Sequence, residues 1–130
     1  RAGYQLDERT RMRVLTEIVA TLSHLPGVVV AMVVGANDGL IVETTGIKGA
    51  NGDQDPRKHT AALAAYLYAK ATRAADAARL GTPAFMRLEA EQGHICVVGA
   101  GEVVLVTIVT PDANLGRVRL DMMNAARGDL

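Results

Sequence analysis

The chain has 130 residues, of which 49% are hydrophobic and 22% charged, and its 14 basic residues equal its 14 acidic ones in number. This length fits one domain, predicted over residues 1–130, and the balanced charge argues against nucleic-acid binding, which rests on excess lysine and arginine. No apolar run is long enough for membrane insertion, and the single cysteine, Cys96, favours a reducing compartment and therefore a cytoplasmic protein.

The first half of the chain predicts one helix followed by two strands. Apolar residues recur at helical spacing over residues 8–24, and Pro26-Gly27 ends this helix, because proline lacks a backbone donor and glycine frees the backbone. The β-branched run over 28–34 is typical of a buried strand, and an Asp-Gly turn leads into a second strand over 40–44. Residues 45–56 form a polar, glycine-rich loop, which we expect to be the most mobile segment.

A long alanine-rich helix is predicted after this loop. Asp55 before Pro56 predicts the N-cap and the first helical position, and the helix is expected to run to about Arg79. Residues 85–91 then alternate between apolar and charged side chains, which predicts an antiparallel strand with one face in water.

The last part of the chain completes the predicted fold. Two further strands are expected over residues 94–98 and 102–109, and Asp112 after Pro111 predicts the N-cap of a final helix. The element order is then α-ββ-α-βββ-α. Runs of strands joined by short turns pair as hairpins, so we predict an α+β fold with a five-stranded antiparallel sheet packed by helices.

Gly99-Ala100-Gly101, between two apolar runs, has the first two glycines of a dinucleotide fingerprint. Such a site needs a helix after the glycines, because the pyrophosphate binds at that helix's N-terminus. The residues that follow, 102–109, are strand-forming, and Val104 stands where the third glycine would be. We therefore interpret the glycines as a hairpin turn that requires positive φ.

Two other small clusters carry possible chemistry. His94 and Cys96 would share one face of a strand and could act as base and nucleophile, but no third orienting group is evident, and packing of a buried cysteine is the simpler interpretation. Glu43, Asp53 and Asp55 flank the long loop but lack the spacing of a calcium loop. We therefore predict no enzyme activity and no catalytic, cofactor or metal site.

The alanine-rich helix gives the clearest physical indication of a partner. Tyr66 and Tyr68 point about 160° apart by helical geometry, and leucines and alanines widen the apolar band almost all the way round. A helix that is apolar on all sides is buried on more than one side. One side would meet the sheet, and we expect the other to meet a second copy of the chain.

Three segments, in this order and spacing, resemble the Roadblock/light-chain domain family over about residues 12–127. They are Leu25-Pro26-Gly27-Val28, Asn37-Asp38-Gly39-Leu40 and Asp112-Ala113-Asn114-Leu115-Gly116-Arg117-Val118-Arg119-Leu120. The resemblance implies a five-stranded antiparallel sheet with the second helix on one face and the first and last helices on the other. It also implies dimers that pair through the second helix and third strand.

The residues that we expect to form a homodimer interface lie on these two elements. They are Ala61, Ala64, Leu67, Tyr68, Ala71, Ala75, Phe85, Arg87 and Glu89.

The resemblance further implies a bacterial, non-enzymatic regulatory or scaffold module that binds a small Ras-like GTPase and modulates its nucleotide cycle or localisation. Some family members activate GTPases, and eukaryotic relatives serve dynein complexes or lysosomal scaffolds. This sequence differs in its long 45–56 loop. It has no obvious arginine finger, since Arg57, Arg73 and Arg79 are candidates by position alone.

Two other hypotheses stay open at the level of sequence. A small-ligand sensor of the profilin-like or GAF-like type would share the plan of a sheet with helices, and it would need a pocket of ligand size. An enzyme using His94 and Cys96 is the third possibility.

Overall fold

The computed structural model of the chain describes residues 7–45 and 56–128. The described elements are α1 (Glu8–Ser23), β1 (Val28–Gly35), β2 (Ile41–Thr44), α2 (Pro56–Ala77), β3 (Met86–Ala90), β4 (Gly93–Ala100), β5 (Val103–Val109) and α3 (Leu115–Arg127). The predicted element order is therefore confirmed. Most of the predicted 45–56 loop, together with the predicted N-cap Asp55, lies outside the described residues.

The five strands form one antiparallel sheet in the order β2-β1-β5-β4-β3. β5 lies at its centre, where Val106 pairs with Met32 on one side and Val97 on the other. The sequence predicts these central strands well because they are buried on both faces and so are almost continuously apolar. The two short strands, β2 and β3, form the edges.

Helices cover both faces of the sheet, as the family resemblance implies. On one face, α1 and α3 pack through side chains such as Leu22, Val118 and Met122 onto Leu105 and Val109. On the other face, α2 packs alone, through three buried alanines, onto Met32, Val34, Val97, Val104 and Val106. The core is therefore two apolar layers that share one sheet.

The glycine hairpin differs from the prediction in one respect. Gly101 has a φ of 71° and forms the turn with Glu102, as expected, but Gly99 lies within β4 and has no positive φ. A Cβ at Gly99 would lie 2.5 Å from the hydroxyl oxygen of Tyr68. Gly99 is therefore required by the close approach of a side chain from α2, and the prediction that it serves the turn was wrong.

The N-cap predicted for the last helix was also wrong. α3 begins at Leu115, and its N-cap is Asn114, whose side-chain oxygen accepts a hydrogen bond from the backbone N–H of Arg117. The Asp112 carboxylate instead accepts a hydrogen bond of 2.8 Å from the hydroxyl of Thr110. Asparagine and aspartate both cap helices well, so the residue type does not distinguish Asn114 from Asp112; only the position of the first helical residue does.

Candidate protein-interaction surface

Apart from Tyr68, which packs against the sheet, helix α2 faces its own sheet with small side chains and faces solvent with large ones. Ala61, Ala64 and Ala65 are its buried residues. By contrast, Leu63 and Leu67 keep 49% and 40% of their surface exposed, and Tyr66 keeps 58%. A surface helix ordinarily turns its large apolar residues toward the core. This helix shows the reverse, which is the arrangement of a helix with a second apolar contact.

Strand β3 is a poorly covered edge of the sheet. It pairs with β4 through five residue pairs, and four of its five residues are exposed. Among these, Leu88 exposes 39% of its surface on the side of the sheet that carries α2. An edge strand presents unpaired backbone groups to any strand that approaches, so β3 can extend the sheet into another chain.

An apolar groove joins the two elements, and we call it the α2–β3 groove. Its volume is about 180 Å³, and its lining residues are Thr60, Leu63, Ala64, Leu67, Met86, Leu88 and Ile95. Leucines of α2 form one wall and side chains of β3 and β4 form the other.

An apolar stripe continues this groove along α2. Leu63, Leu67, Ala71 and Ala74 recur at intervals of three or four residues, which places them on one side of a helix. Ala71 is half-buried in the single chain, and the others are exposed. The groove and the stripe together are an apolar surface next to a strand edge that no other described strand pairs with.

The sequence and fold of the chain match known proteins over most of its length. The model of the Roadblock/LC7 domain family matches residues 15–110. Two uncharacterised proteins of Methanocaldococcus jannaschii are each 30% identical over 112 residues, which is 86% of this chain and 93% of theirs. The chain belongs to the Roadblock/LC7 domain family.

Solved structures share this fold at low sequence identity. MglB of Myxococcus xanthus superposes with a TM-score of 0.77 at 20% identity, covering 95% of this chain and 89% of that one. A structure described as MglB with a tetrameric arrangement has a TM-score of 0.76 at 21% identity, covering 99% of this chain and 93% of that one. At this level of identity the likeness establishes the Roadblock/LC7 fold.

The Roadblock/LC7 structure separates the nine predicted interface residues into groups. Ala61 and Ala64 expose 0% and 2% of their surface because they pack against the chain's own sheet. They expose almost no surface in the single chain, although Ala64 also lines the α2–β3 groove, so their place in an interface stays a prediction. Leu67 and Ala71 lie on the exposed stripe, and Ala75 is half-buried nearby.

Tyr68 is directed toward the sheet. Its ring lies over Gly99, and its hydroxyl donates a 3.1 Å hydrogen bond to the carbonyl oxygen of Pro83. Tyr68 therefore anchors α2 to its own sheet and to the segment that follows the helix.

Three predicted interface residues on or next to β3 face away from α2. Phe85 packs beside the α1–α3 layer, and Arg87 is the cross-strand partner of Cys96, which belongs to that layer. Arg87 and Glu89 form an ion pair of 3.6 Å, with side chains 44% and 59% exposed. They lie at the β3 edge but outside the α2–β3 groove.

Leu63 and Leu88, which line the groove, were missing from the predicted interface. The alternating pattern placed Leu88 on the apolar face of β3, where a core position was the natural interpretation. Only its position in an edge strand leaves it exposed, and strand order is not readable from the pattern.

No hydrogen bond joins His94 and Cys96 among the described residues. Both are buried on β4. Burial raises the pKa of the Cys96 thiol, and the smaller opposing effects come from a hydrogen bond with Thr107 and from the charge of Arg87. The thiolate is the nucleophilic form, so this environment works against catalysis. The His94 ring places Nε2 3.4 Å from the carbonyl oxygen of Pro111, and its Nδ1 has no partner within the described residues.

The described residues contain no group of three or more side chains that could hold a metal ion. Glu43 accepts a 3.0 Å hydrogen bond from the hydroxyl of Thr16, whereas Asp53 and Asp55 lie outside the described residues. Within residues 7–45 and 56–128, no helix is both long and apolar enough to cross a membrane.

Proposed function

We propose that this Roadblock/LC7 chain is a homodimer formed through α2 and β3, and that the dimer is a regulatory module for a small Ras-like GTPase. The observation that carries the first part is the outward position of Leu63 and Leu67 beside the free edge of β3. Joining two β3 edges would satisfy backbone groups and bury both stripes in one step. The neighbour described as a tetrameric arrangement supports self-association in this fold.

The GTPase partner is inferred from the family resemblance and from the MglB neighbours. The chain would act by surface complementarity that reshapes the switch loops of the GTPase. Its own glycine hairpin leads into a strand and not into a phosphate-binding helix. The nucleotide would thus be held by the partner.

The three candidate arginines do not converge on one place. Arg57 lies in the first turn of α2 and Arg79 lies beyond its last turn, so the 22-residue helix separates them by about 33 Å at 1.5 Å per residue. Arg73 is exposed on the helix between them. A finger is one arginine, and the described geometry singles out none of the three, so we propose no arginine finger. Replacing each arginine singly by alanine should then leave any effect on GTP hydrolysis in place.

Self-association is tested by size-exclusion chromatography with light scattering at micromolar concentration. The wild-type chain should have the mass of two chains. Ala71→Glu should dissociate it, because the interface would bury an unpaired carboxylate. Ala69→Glu is the matched control, since Ala69 is exposed on another side of the same helix and lines a separate depression near Gly39 and Tyr66. A wild-type monomer would refute the dimer.

The GTPase proposal is tested with purified small Ras-like GTPases of the source cell, loaded with GDP or a slowly hydrolysed GTP analogue. We expect saturable binding that favours one nucleotide state, together with a changed rate of hydrolysis or exchange. The chain alone should bind neither nucleotide. If no GTPase binds in either state, the regulatory proposal fails even when the dimer is intact.

A second candidate function is supported by one observation. A notch of about 460 Å³ opens at the end of the sheet, lined by Tyr68, Thr72, Thr82, Pro83, Ala84, Val98, Gly99, Gly101, Met123, Ala126 and Arg127. Its size is within the range of small-molecule sites, which keeps a ligand-sensing role open. Thermal unfolding in a metabolite library tests it, because a ligand that binds only the folded chain raises Tm.

A further inference from the structure

A second cleft lies on the opposite side of the sheet from the α2–β3 groove, and we call it the β3–α3 cleft. It has a volume of about 590 Å³ between β3 and the N-terminal part of α3, and its lining residues are Ala84, Phe85, Arg87, Leu115, Gly116 and Arg119. Two of the six are arginines, and none is acidic. The cleft lies outside the α2–β3 groove, although Arg87 belongs to β3, the strand through which the dimer is proposed to pair.

Arg119 is held in the cleft without an acidic partner. Its guanidinium carbon lies 5.7 Å from the centre of the Phe85 ring, a distance at which the ring attracts the cation. Within the described part of the chain, no carboxylate pairs with it. The ring restrains the guanidinium, and its N–H donors stay available for an anion.

Arg87 supplies the second positive charge. Its ion pair with Glu89 is 3.6 Å long and both side chains are about half exposed, so the pair is weak. The neighbouring Arg117, by contrast, donates from Nε to Asp121 at 3.0 Å. The charges that face the cleft are therefore those of Arg87 and Arg119, with Glu89 at its border.

The first turn of α3 adds backbone donors beside the two arginines. Asn114 caps the N–H of Arg117, and the N–H of Val118 donates to the Asn114 carbonyl. Within the described residues, the N–H groups of Leu115 and Gly116 have no such partner. Gly116 has no side chain to cover them. These donors reinforce the arginines but would not make a site alone.

We propose that the β3–α3 cleft binds a phosphate monoester dianion. A phosphate group offers three strong acceptor oxygens, which match two guanidinium groups and the amide donors of a helix start. The cleft is larger than a phosphate ion, so the organic group that carries the phosphate would lie over Phe85 and Ala84. The phosphate can belong to a small molecule or to a phosphorylated side chain of another protein.

The test is a titration of the full chain at pH 7.5 and low salt, followed by ¹H–¹⁵N chemical shifts. The probes are inorganic phosphate, O-phosphoserine and a short phosphoserine peptide, each compared with its unphosphorylated counterpart where one exists. We expect saturable shifts at Leu115, Gly116 and Arg119, lost with added salt because charge attraction is screened.

Arg119→Gln should weaken binding about ten-fold, because a charge-assisted contact is lost. Arg87→Gln should act in the same direction, whereas Arg119→Lys should restore only part of the affinity because lysine lacks the planar fork. Arg73→Gln on α2 removes the same charge from the other face and should leave affinity unchanged. Light scattering on every variant separates this effect from any change in self-association.

The arms of the titration also distinguish the source of the phosphate. Binding of the small probes assigns the cleft to a free metabolite, and binding of the peptide alone assigns it to a phosphorylated protein. Either result supports a phosphate site. The proposal is overturned if no probe binds, if unphosphorylated peptide binds equally well, or if Arg73→Gln weakens binding as much as Arg119→Gln.

Discussion

Removing the two outward leucines of α2 should dissociate the proposed dimer without unfolding the chain. Leu63 and Leu67 expose 49% and 40% of their surface in the single chain. Replacement by alanine therefore removes apolar surface that is only partly buried in the isolated fold. Leucine loses the side chain beyond Cβ, which is worth about 2.4 kcal/mol when fully transferred from water, at about 0.8 kcal/mol per carbon.

The exposed fractions set the size of the effect. Scaled by exposure, the two substitutions remove about 1.2 and about 1.0 kcal/mol of potential burial in each chain. Because a symmetric interface uses each side chain twice, the double variant should weaken association by about 4 kcal/mol. If the interface covers only half of the exposed surface, the figure is about 2 kcal/mol, so Kd should rise between about thirty-fold and about a thousand-fold.

Sedimentation velocity over a dilution series measures this Kd directly. Leu120→Ala is the matched control, because Leu120 is 56% exposed on α3, which lies on the other face of the sheet. The control should keep the wild-type Kd. The reasoning is refuted if the Leu63→Ala, Leu67→Ala variant also keeps it, or if the control weakens association equally.

Three further predictions concern the fold. Gly99→Ala should lower the free energy of unfolding by about 1–3 kcal/mol, because the new methyl group overpacks against Tyr68. The decrease should be much smaller in a Tyr68→Ala background. Equal decreases in both backgrounds, measured by urea denaturation, would rule out this contact. Asn114→Ala should lower the free energy of unfolding by about 1 kcal/mol, because it removes an N-cap. Asp112→Ala should lower it clearly less. If thermal melts show that Asp112→Ala is the more destabilising of the two, Asp112 is the cap. Burial raises the pKa of the Cys96 thiol, so the thiol should stay protonated and unreactive toward a thiol reagent at pH 8. The free energy of unfolding should fall as pH rises above the ordinary thiol pKa of 9.0, because the unfolded chain releases the proton first. Cys96→Ala should reduce this loss of stability at alkaline pH.

The sequence predicts the strands and their order in the chain because each depends on a local signal. The run over 28–34 is apolar on both faces because β1 is central, and the alternation over 85–91 reflects a strand with two different faces. The requirement for Gly99 was not predictable in the same way. It depends on Tyr68, which lies 31 positions earlier in the chain and reaches it only through the packing of α2 on the sheet.

The interface residues were harder to predict for a physical reason that concerns alanine. Alanine favours a helix wherever it stands and adds little apolar surface, so its pattern does not reveal which side faces the sheet. In α2 the inward alanines, such as Ala61 and Ala64, let the helix approach the sheet closely, and the leucines are left outside. The size of the side chains around α2, more than their hydrophobicity, is therefore what indicates a partner.

The same feature links the stability of α2 to self-association. Only three alanines of this 22-residue helix are buried in the single chain, and burying their methyl groups contributes about 2 kcal/mol. Helix α3, with 13 residues, buries Val118 and Met122 as well as an alanine. Since helices in proteins owe most of their stability to packing of an apolar face, α2 is under-anchored for its length in one chain. A second α2 packed along Leu63 and Leu67 would add an apolar contact, so the surface proposed to recognise a partner would also stabilise the helix further.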